Sequence, residues 1–491
     1  MGRKWNLDQT SAPLFEAIRR HIESGVVPFH VPGHKGGRGI IEEFKEYVGE
    51  QVFRMDLNGM DDLDNICNPL GAIKESEDLM AELFGAGDSF FLVNGTSQGV
   101  QAMILYACRP GEKIIVPRNV HKSVIGGLIL SGAIPIYIQP EFHARLGIAL
   151  GVEPQSLRAC INRHPDARAV FINNPTYYGV ASDIKAIIGI AHENDMLVLA
   201  DEAHGAHLPF HPDLPPSAIS QGGDLSAISL HKTGGSMTQS SVLLSNNKNI
   251  NPAAMKTVIN LMQTTSASYI LMASLDLARK HLALRGDHMM ERAVSLAKYA
   301  RQGVNKIDGL YAFGTELVGH PGIFGFDETK LCINVRELGM SGYEMESFMR
   351  KQNKIQMEMS DFHNTLAVIS LGDDRESVDR LIDGLGDIAR NRKGGGFDAP
   401  MVIPPALEMV VSPREAFYLQ KKTVPLESSA GEVSGEMVMA YPPGIPALSL
   451  GELITKDIIE YIKMMKKSKY QLQGGEDPFI NNINVLSRER V

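Results

Sequence analysis

Short apolar runs and segments with helical periodicity alternate along the chain from about residue 90 to residue 230. Runs typical of buried strands occupy residues 90–93, 114–116, 134–138 and 169–172. Apolar positions spaced for one face of a helix occupy residues 123–131, 154–162 and 183–193. Because such alternation places successive strands in one sheet with helices on its faces, the pattern predicts an α/β fold with a mostly parallel sheet.

The rest of the chain is predicted to form further helices and a smaller α/β domain. Helical spacing covers residues 12–24 and 75–84, and residues 255–310 are mainly helical with a polar break at 263–269. Strand-like runs at 331–335 and 366–371 lie among helices, and the Lys-Gly-Gly-Gly stretch at 393–396 has the composition of a linker. We expect an N-terminal segment, a large domain, a small α/β domain and a C-terminal domain, at residues 1–34, 35–310, 311–392 and 397–491.

One apolar run leads into a lysine. Residues 226–230 have the pattern of a buried strand, and His231 and Lys232 follow, succeeded by glycine, serine and threonine. Burying an unpaired ammonium is costly, and lowering the pKa of the amine so that it acts as a nucleophile is one way to relieve that cost. The alternative is a surface lysine, because strand ends meet solvent.

A second apolar run, at residues 196–200, ends in Asp201. Ligands of open α/β sheets bind at the carboxyl ends of the strands, so Asp201 and Lys232 are predicted to point into one crevice. An acid for the pyridinium nitrogen and a lysine for a Schiff base are the groups that pyridoxal phosphate (PLP) requires of its protein. The alternative for Asp201 is the N-cap of the next helix.

The turn after the strand at 90–93 has the pattern of an anion site. Residues 94–99, Asn-Gly-Thr-Ser-Gln-Gly, lead into an apolar helix. Free backbone N–H groups and the positive end of the helix dipole favour a phosphate there, and the hydroxyls of Thr96 and Ser97 would add bonds. The alternative is an ordinary N-cap. Another strand-to-helix loop carries His121, predicted either to stack on a planar ring or to be an ordinary loop residue.

Two earlier loops carry polar side chains. Residues 26–37 contain two prolines and three glycines together with His30, His34 and Lys35. This loop is either functional or a turn at a helix end. Residues 56–65 are acidic, which indicates a solvated loop.

Composition and charge narrow the classes of function. The 491-residue chain has a net charge of −9 and no basic run, which argues against a nucleic-acid binder. The four cysteines form no CxxC pair, so we expect neither disulfides nor a cysteine zinc site, as in a reducing cytoplasm. The chain has no signal-peptide stretch and no apolar window of about 18 residues, so we expect no membrane span. His204, His207 and His211 lack HExxH spacing, so we expect no catalytic metal.

Taken together, the motifs resemble the Orn/Lys/Arg decarboxylase family, whose members are fold-type-I PLP enzymes. Residues 229–239, Ser-Leu-His-Lys-Thr-Gly-Gly-Ser-Met-Thr-Gln, resemble the family's lysine-binding signature. Other motifs follow the family's order at residues 30–35, 94–97, 118–123, 201–205 and 441–446. Because the resemblance covers nearly the whole chain, it implies the fold-type-I large domain followed by smaller α/β C-terminal domains.

The resemblance also implies roles for individual residues. Lys232 would hold PLP as a Schiff base, and Asp201 would pair with the pyridine nitrogen. His121 would stack on the ring, opposite Ala203. Thr264 would reach the phosphate of the neighbouring subunit, which implies a homodimer or an oligomer of dimers. The full set of implied cofactor-binding residues is Thr96, Ser97, His121, Asp201, Ala203, Ser229, His231, Lys232 and Thr264.

The implied activity is decarboxylation of a basic amino acid. Lys232 comes too early for the extra N-terminal domain of large bacterial members, so the chain resembles the shorter biosynthetic arginine decarboxylases. The expected reaction is therefore L-arginine to agmatine and carbon dioxide, for polyamine synthesis. The alternatives are lysine or ornithine decarboxylation, another fold-type-I activity such as an aminotransferase or lyase, and a catalytically idle regulatory homologue.

One stretch departs from the family's pattern. Members usually have a glutamate pair and then Gly-Arg before the motif at 441–446. Here Ser428 stands at the second glutamate position and Glu432 replaces the arginine. That glutamate is expected to help bind the distal cation of the substrate. The candidates for this role are Glu427, Glu432 and Glu436, followed by the acidic loop at Asp61, Asp62 and Asp64.

Overall fold

The computed structural model describes residues 5–246, 248–392, 405–440, 445–467 and 472–487. The predicted linker at 393–396 and residues 441–444 of the last family motif lie outside the described residues. The α-helices are α1 (Pro13–Glu23), α2 (Glu42–Val48), α3 (Glu50–Met55), α4 (Ala72–Phe84), α5 (Gly95–Ala107), α6 (Lys122–Ser131), α7 (Pro154–Arg163), α8 (Ile184–His192), α9 (Leu230–Thr233), α10 (Pro252–Asn260), α11 (Tyr269–Val304), α12 (Gly342–Phe348), α13 (Arg375–Arg390), α14 (Pro413–Tyr418) and α15 (Lys456–Lys467).

The β-strands confirm the predicted alternation, with ends shifted by one or two residues. They are β1 (Asp88–Leu92), β2 (Lys113–Pro117), β3 (Ile134–Ile138), β4 (Phe142–His143), β5 (Ile148–Ala149), β6 (Ala167–Asn173), β7 (Val180–Ala181), β8 (Leu197–Glu202), β9 (Leu225–Ile228), β10 (Ser241–Ser245), β11 (Tyr311–Ala312), β12 (Gly325–Phe326), β13 (Lys330–Asn334), β14 (Met359–Ser360), β15 (Asn364–Val368), β16 (Lys421–Pro425), β17 (Val438–Ala440), β18 (Ile445–Leu448), β19 (Leu472–Gln473) and β20 (Asn482–Leu486).

Contacts divide the chain into two compact units. The first unit comprises Met1–Tyr106, Leu199–Pro212 and Pro216–Met290. The second unit comprises Ala107–Val198, Asp213–Pro215 and Glu291–Val491. Each unit therefore draws on segments that are far apart in the sequence.

The first unit contains strands in the order β1, β10, β9, β8. The pairs β1–β10 and β10–β9 are antiparallel, whereas β9 and β8 are parallel. Helix α5 lies close to these strands because Gly99 has no side chain. A Cβ atom there would come within 2.9 Å of Leu92 Cδ1 and 3.1 Å of Ala227 Cβ. Gly99 thus allows the close approach of helix and strands.

Helix α1 is fastened within the first unit by a buried ion pair from α11. Its N-cap residue, Ala12, has no side chain that can accept a hydrogen bond. Asp276 accepts instead from the backbone N–H groups of Leu14 (3.1 Å) and Phe15 (3.3 Å). Arg279 donates to Asp276 over 2.8 Å, and both side chains are fully buried. The carboxylate therefore supplies the N-terminal cap that α1 lacks.

The second unit contains a parallel group and several small antiparallel sheets. Strand β2 pairs in parallel with β3 and β6. Strands β11, β13, β15 and β14 form an antiparallel sheet, and α12 and α13 follow its strands in the chain. The C-terminal part contains the sheets β16–β20 and β18–β17–β19, whose apolar residues share a core with helix α15.

Within the described part of the chain, no helix combines the length and apolarity needed to cross a membrane. Cys67, Cys108, Cys160 and Cys332 are free thiols, and all except Cys67 are buried.

Glu77 of α4 is a buried acid that bonds to the edge strand β1. Its carboxylate accepts from the Phe91 N–H over 2.9 Å. Burial raises the pKa of Glu77 from 4.5 to about 7, opposed by the charge of Lys256 and by the Phe91 N–H. Because the folded-state pKa lies above the unfolded one, the folded chain binds the proton more tightly. The contribution of Glu77 to stability is therefore largest below the unfolded pKa and falls as the pH rises towards 7.

We predict that the Glu77→Gln variant lacks the free-energy cost of ionising this buried carboxyl group at high pH. Relative to wild type, its free energy of unfolding should rise by about 2 kcal/mol between pH 5.5 and pH 8. Urea unfolding at a series of pH values measures the difference, and Glu75→Gln on the same helix controls for loss of one charge. A difference between Glu77→Gln and wild type that does not change with pH would contradict the prediction.

Candidate active site

The parallel pairing of β8 and β9 brings two predicted site residues to the same end of adjacent strands. In this register Asp201 lies opposite Ala227, and Glu202 lies opposite Ile228. Strand β9 ends at Ile228, and the single helical turn α9 that follows carries Lys232. The prediction that Lys232 follows a buried strand is confirmed, although the lysine stands one helical turn beyond the strand, where it is exposed.

Glu202 fixes the register of these two strands. Its side chain is buried and accepts from the Ser226 hydroxyl on β9 over 2.6 Å. It also accepts from the Ala218 N–H over 2.8 Å, in the segment that leads into β9. A one-residue slip would break these bonds and turn the buried side chains to the opposite face of the sheet. Glu202 therefore keeps Asp201 at its place opposite β9.

Lys232 contacts a histidine from the turn after β8. Lys232 Nζ lies 3.0 Å from Nε2 of His204, and the His204 side chain is buried. An ammonium can only donate, so His204 accepts through Nε2 and a neutral ring carries its proton on Nδ1. The amine of Lys232 thus has a proton acceptor within hydrogen-bond distance.

Asp201 closes a turn with Ala203. Its Oδ1 accepts from the Ala203 N–H over 3.0 Å. The next regular element is the short 3-10 turn Leu208–Phe210, so Asp201 is not the N-cap of an α-helix. The carboxylate is partly exposed, which leaves it accessible to a ligand.

Three hydroxyls meet at the N-terminus of α5. Thr96 Oγ1 bonds to Ser229 Oγ, and it donates to Ser241 Oγ over 3.1 Å. Thr96 belongs to the first turn of α5, Ser229 follows β9, and Ser241 begins β10. All three are buried, whereas Ser97 is exposed. The structure therefore brings two predicted phosphate-binding residues together and adds Ser241 to them.

The loop between α9 and β10 is attached to this cluster. The N–H of Gly95 donates to Gln239 O over 2.8 Å. His231 Nδ1 donates to Ser240 O over 2.8 Å. Burial lowers the pKa of His231, and the charge of Lys232 lowers it further, while the bond to Ser240 opposes the change. The His231 ring is therefore neutral near pH 7.

These residues fit PLP. The cofactor needs an amine for its aldehyde, an acid for its ring nitrogen and donors for its phosphate. Lys232 and Asp201 supply the first two groups from adjacent elements of the first unit. The clustered hydroxyls and the N-terminus of α5 supply the third.

His121 lies in the second unit as the N-cap of α6. Its Nδ1 accepts from the Ser123 N–H over 3.2 Å, so a neutral ring carries its proton on Nε2. Thr264 lies in the exposed break between α10 and α11, where its hydroxyl accepts from the Ser266 N–H over 3.1 Å. The polar break predicted at 263–269 is therefore present.

The three candidate substrate glutamates already have partners inside the second unit. Glu427 pairs with Lys463 at 3.1 Å, and Glu432 pairs with Lys422 at 3.0 Å. Glu436 is buried, and its Oε2 accepts from Asn484 Nδ2 over 3.0 Å. Its other oxygen, Oε1, is buried without a hydrogen-bond partner.

The acidic loop has structural bonds of its own. Asp64 accepts from the N–H groups of Gly71 (2.8 Å) and Ile73 (3.0 Å) at the start of α4. Asp62 bonds to His21 over 2.7 Å. Among the residues that the structure describes, no group of three or more His, Cys, Asp or Glu side chains is arranged to hold a metal ion.

Two models of one known protein family match this chain. The model for the Orn/Lys/Arg decarboxylase major domain matches residues 12–377, and the model for the C-terminal domain of the same family matches residues 400–479. The chain belongs to the Orn/Lys/Arg decarboxylase family. The resemblance inferred from the sequence motifs is thereby confirmed.

Relatives match over almost the full length of this family member. It is 41% identical over 485 residues to an arginine decarboxylase of Bacillus anthracis, with 98% of each chain covered. It is 40% identical over 487 residues to an arginine decarboxylase of Bacillus subtilis, with 99% of each chain covered. The solved constitutive lysine decarboxylase of E. coli superposes with a TM-score of 0.85 at 21% identity, covering 98% of this chain and 82% of that one. That likeness confirms the predicted fold-type-I α/β class.

Sequence reasoning missed two residues of the site. His204 lies in the family motif at residues 201–205, but the sequence analysis assigns it no contact with Lys232. Ser241 was not considered, because its contact with Thr96 joins residues far apart in the chain. The serine-rich composition of residues 236–241 was the only signal for Ser241.

We predict that removing the carboxylate of Glu202 destabilises the fold. Glu202→Ala leaves the Ser226 hydroxyl and the Ala218 N–H buried without an acceptor, so the free energy of unfolding should fall by about 2–4 kcal/mol. Urea unfolding measures it. Glu193→Ala, which removes an exposed pair with Arg158 (3.2 Å), is the control and should cost less than about 1 kcal/mol. Equal losses in the two variants would refute the role of Glu202.

Proposed function

We propose that the protein is a PLP-dependent decarboxylase that converts L-arginine to agmatine and carbon dioxide for polyamine synthesis. The observation that carries the proposal is the full-length match to two relatives named arginine decarboxylase. The Lys232–His204 contact beside Asp201 supports it, because a nucleophilic amine and an acid at adjacent strand ends are what this chemistry needs. The proposed location is the cytoplasm, and the proposed domains are residues 35–310, 311–392 and 397–491 after an N-terminal segment at 1–34.

The contacts of the site residues support a role for each of them. PLP, when bound, supplies the electron sink for cleavage of the bond between Cα and the carboxylate. Lys232 Nζ would be the attachment point for the cofactor, and His204 Nε2, 3.0 Å away, could accept the proton that the amine must lose to become a nucleophile. Asp201 would keep the ring nitrogen protonated, because an adjacent carboxylate favours the charged form. The clustered hydroxyls of Thr96, Ser229 and Ser241 would hold the phosphate.

Other reactions of fold-type-I enzymes are the competing hypotheses for the activity. An aminotransferase converts its amino acid to a keto acid, whereas a decarboxylase releases carbon dioxide and the amine. A catalytically idle homologue would do neither. Lysine and ornithine are the competing substrates within the family, because the family's description includes all three amino acids.

We predict that arginine has the highest kcat/KM of the three basic amino acids. A guanidinium binds a carboxylate through two parallel hydrogen bonds, so a site built for it discriminates against an ammonium. Carbon dioxide release and amine formation by the PLP-loaded enzyme measure the three rates. A higher kcat/KM for lysine or ornithine would refute the substrate, and keto-acid formation without carbon dioxide would refute the reaction.

We predict that one of the three glutamates binds the distal cation of the substrate. Glu436 is the first candidate, because its Oε1 is buried without a partner whereas Glu427 and Glu432 already form ion pairs. Glu436→Gln should lower kcat/KM for arginine by a factor that corresponds to about 2–5 kcal/mol. Glu427→Gln is the matched control, with a smaller loss expected. If none of the three Gln variants loses activity on arginine, the acidic loop at Asp61, Asp62 and Asp64 is tested next.

The proposed assembly is a homodimer in which Thr264 binds the phosphate in the neighbouring subunit. The exposed position of Thr264 between two helices supports this role, since its side chain is open to another chain. The assignment of Thr264 to the phosphate of the neighbouring subunit comes from the resemblance to the family. His121 and Ala203 are proposed to lie on the two faces of the cofactor ring, with Ser97 and His231 nearby.

We predict that two inactive variants restore activity when mixed. In a hybrid of Lys232→Ala and Thr264→Ala chains, one site would carry both defects and the other site would be intact. Activity should therefore recover after the chains are unfolded and refolded together, with each variant refolded alone as the control. Hybrid dimers that form without recovery would show that Thr264 does not act across the interface.

A further inference from the structure

Arg118 is a buried arginine at the start of the loop that carries His121. It directly follows β2, and its side chain is 6% exposed. Its Nη1 donates to Pro446 O over 2.9 Å and its Nη2 to Ala447 O over 3.1 Å, both on strand β18. The guanidinium thus connects the end of β2 to a strand more than 300 residues later in the chain, within the second unit.

The positive charge of Arg118 is balanced by the carboxylate of Glu452. Nη2 lies 2.9 Å from Oε2 of Glu452, whose side chain is fully buried. That oxygen also accepts from the Ser449 N–H over 2.7 Å. Burial raises the pKa of Glu452, and the adjacent Arg118 opposes the rise. The guanidinium also lies 5.0 Å from the ring centroid of Tyr137 on β3.

The guanidinium shape is essential to this arrangement. Two carbonyls and one carboxylate are bound at once by a planar group with five N–H donors. Lysine would keep the charge but present a single ammonium, so it cannot reproduce the fork. Substitution by lysine therefore separates the geometry of the contact from its charge.

The connection reaches His121 through a short and fully attached loop. The Arg118 N–H donates to Ile138 O over 2.9 Å. Asn119 donates to Leu150 O over 3.2 Å and accepts from Asn173 Nδ2 over 3.1 Å. His121 then caps α6. Arg118 is thus the first of several attachments that hold this loop, and it lies three positions before His121 in the chain.

A second buried Arg–Glu pair provides the comparison. Arg301 pairs with Glu328 and donates to Phe313 O, just after β11, and to Lys330 O, at the start of β13, each over 3.0 Å. It has the same chemistry and similar burial, with 8% of Arg301 exposed. The partners described for Arg301, which are Glu328, Phe313 and Lys330, are not candidate site residues. The Arg301 pair therefore serves as the matched control for general destabilisation.

We propose that Arg118 and Glu452 form a buried joint through which the C-terminal strand β18 positions the His121 loop, so that Arg118 is a positioning residue of the decarboxylase site. The effect on catalysis rests on the proposed function, whereas the effect on the loop does not. The joint makes strand β18 part of what holds the His121 loop within the second unit.

The first measurement is hydrogen–deuterium exchange of the full chain without added cofactor. Arg118→Lys and Glu452→Gln should lose protection in peptides covering 118–125 and 445–453, because both sides of the joint are released. Arg301→Lys should leave these two peptides unchanged. Unchanged exchange in Arg118→Lys, or the same loss in Arg301→Lys, would overturn the proposal whatever the activity of the enzyme.

The second measurement is the kinetics of the PLP-loaded enzyme. Arg118→Lys should lower kcat by about 10- to 100-fold, the effect of a small misplacement of a catalytic group, with little change in KM. Arg301→Lys should retain kcat. If the exchange result holds and the wild type shows no decarboxylation, the proposed function fails while the joint stands. Retained kcat in Arg118→Lys would overturn its positioning role.

A double variant tests whether the loss of kcat is caused by lower stability of the fold alone. Arg118→Met combined with Glu452→Leu leaves no buried charge unpaired, so its thermal stability should approach that of wild type. The loop attachments to Pro446 and Ala447 are still lost, so exchange at 118–125 should stay fast and kcat low. Recovery of stability together with loop protection and kcat would show that the pair is merely structural.

Discussion

The parallel pairing of β8 and β9 is the constraint on which the site depends. Two strands that run in the same direction end at the same edge, so the groups that follow them are brought close without a special loop. Glu202 locks that pairing through Ser226 and the Ala218 N–H. With the register fixed, Asp201 stands at the end of one strand, and Lys232 follows the other. The hydroxyls of Thr96 on α5, Ser229 after β9 and Ser241 on β10 bond to one another at the N-terminus of α5.

Buried charges hold the surrounding elements at defined positions. Asp276 caps α1 from α11, and Arg118 joins β18 to the end of β2. Breaking such a pair on one side leaves a charge buried without a partner, which costs several kcal/mol. Apolar contacts have no preferred direction, so they tolerate several relative positions of the packed elements. A hydrogen-bonded ion pair requires its donors and acceptors at defined positions. Geometry, more than stability, is what these pairs add near a site.

The fold and the central site residues Asp201 and Lys232 could be predicted because short stretches of sequence carry the signal for each. Apolar runs of three to five residues identify buried strands, and an acid or a lysine after such a run marks a strand end. The contacts that sequence reasoning missed are long-range. Arg118 and Glu452 are 334 residues apart, and Leu14 and Asp276 are 262 apart. No spacing rule connects such residues, because only the folded chain brings them together. The same reason explains why His204 was not matched to Lys232.

The central claim is that Lys232 is the residue that carries the cofactor. Borohydride reduction of the wild-type enzyme loaded with PLP, followed by mass spectrometry of its peptides, tests it most directly. We expect one pyridoxyl group per chain, on the peptide that contains Lys232, and none on a Lys232→Ala chain treated in the same way. A stoichiometric adduct on any other lysine, or no adduct on the wild type, would contradict it.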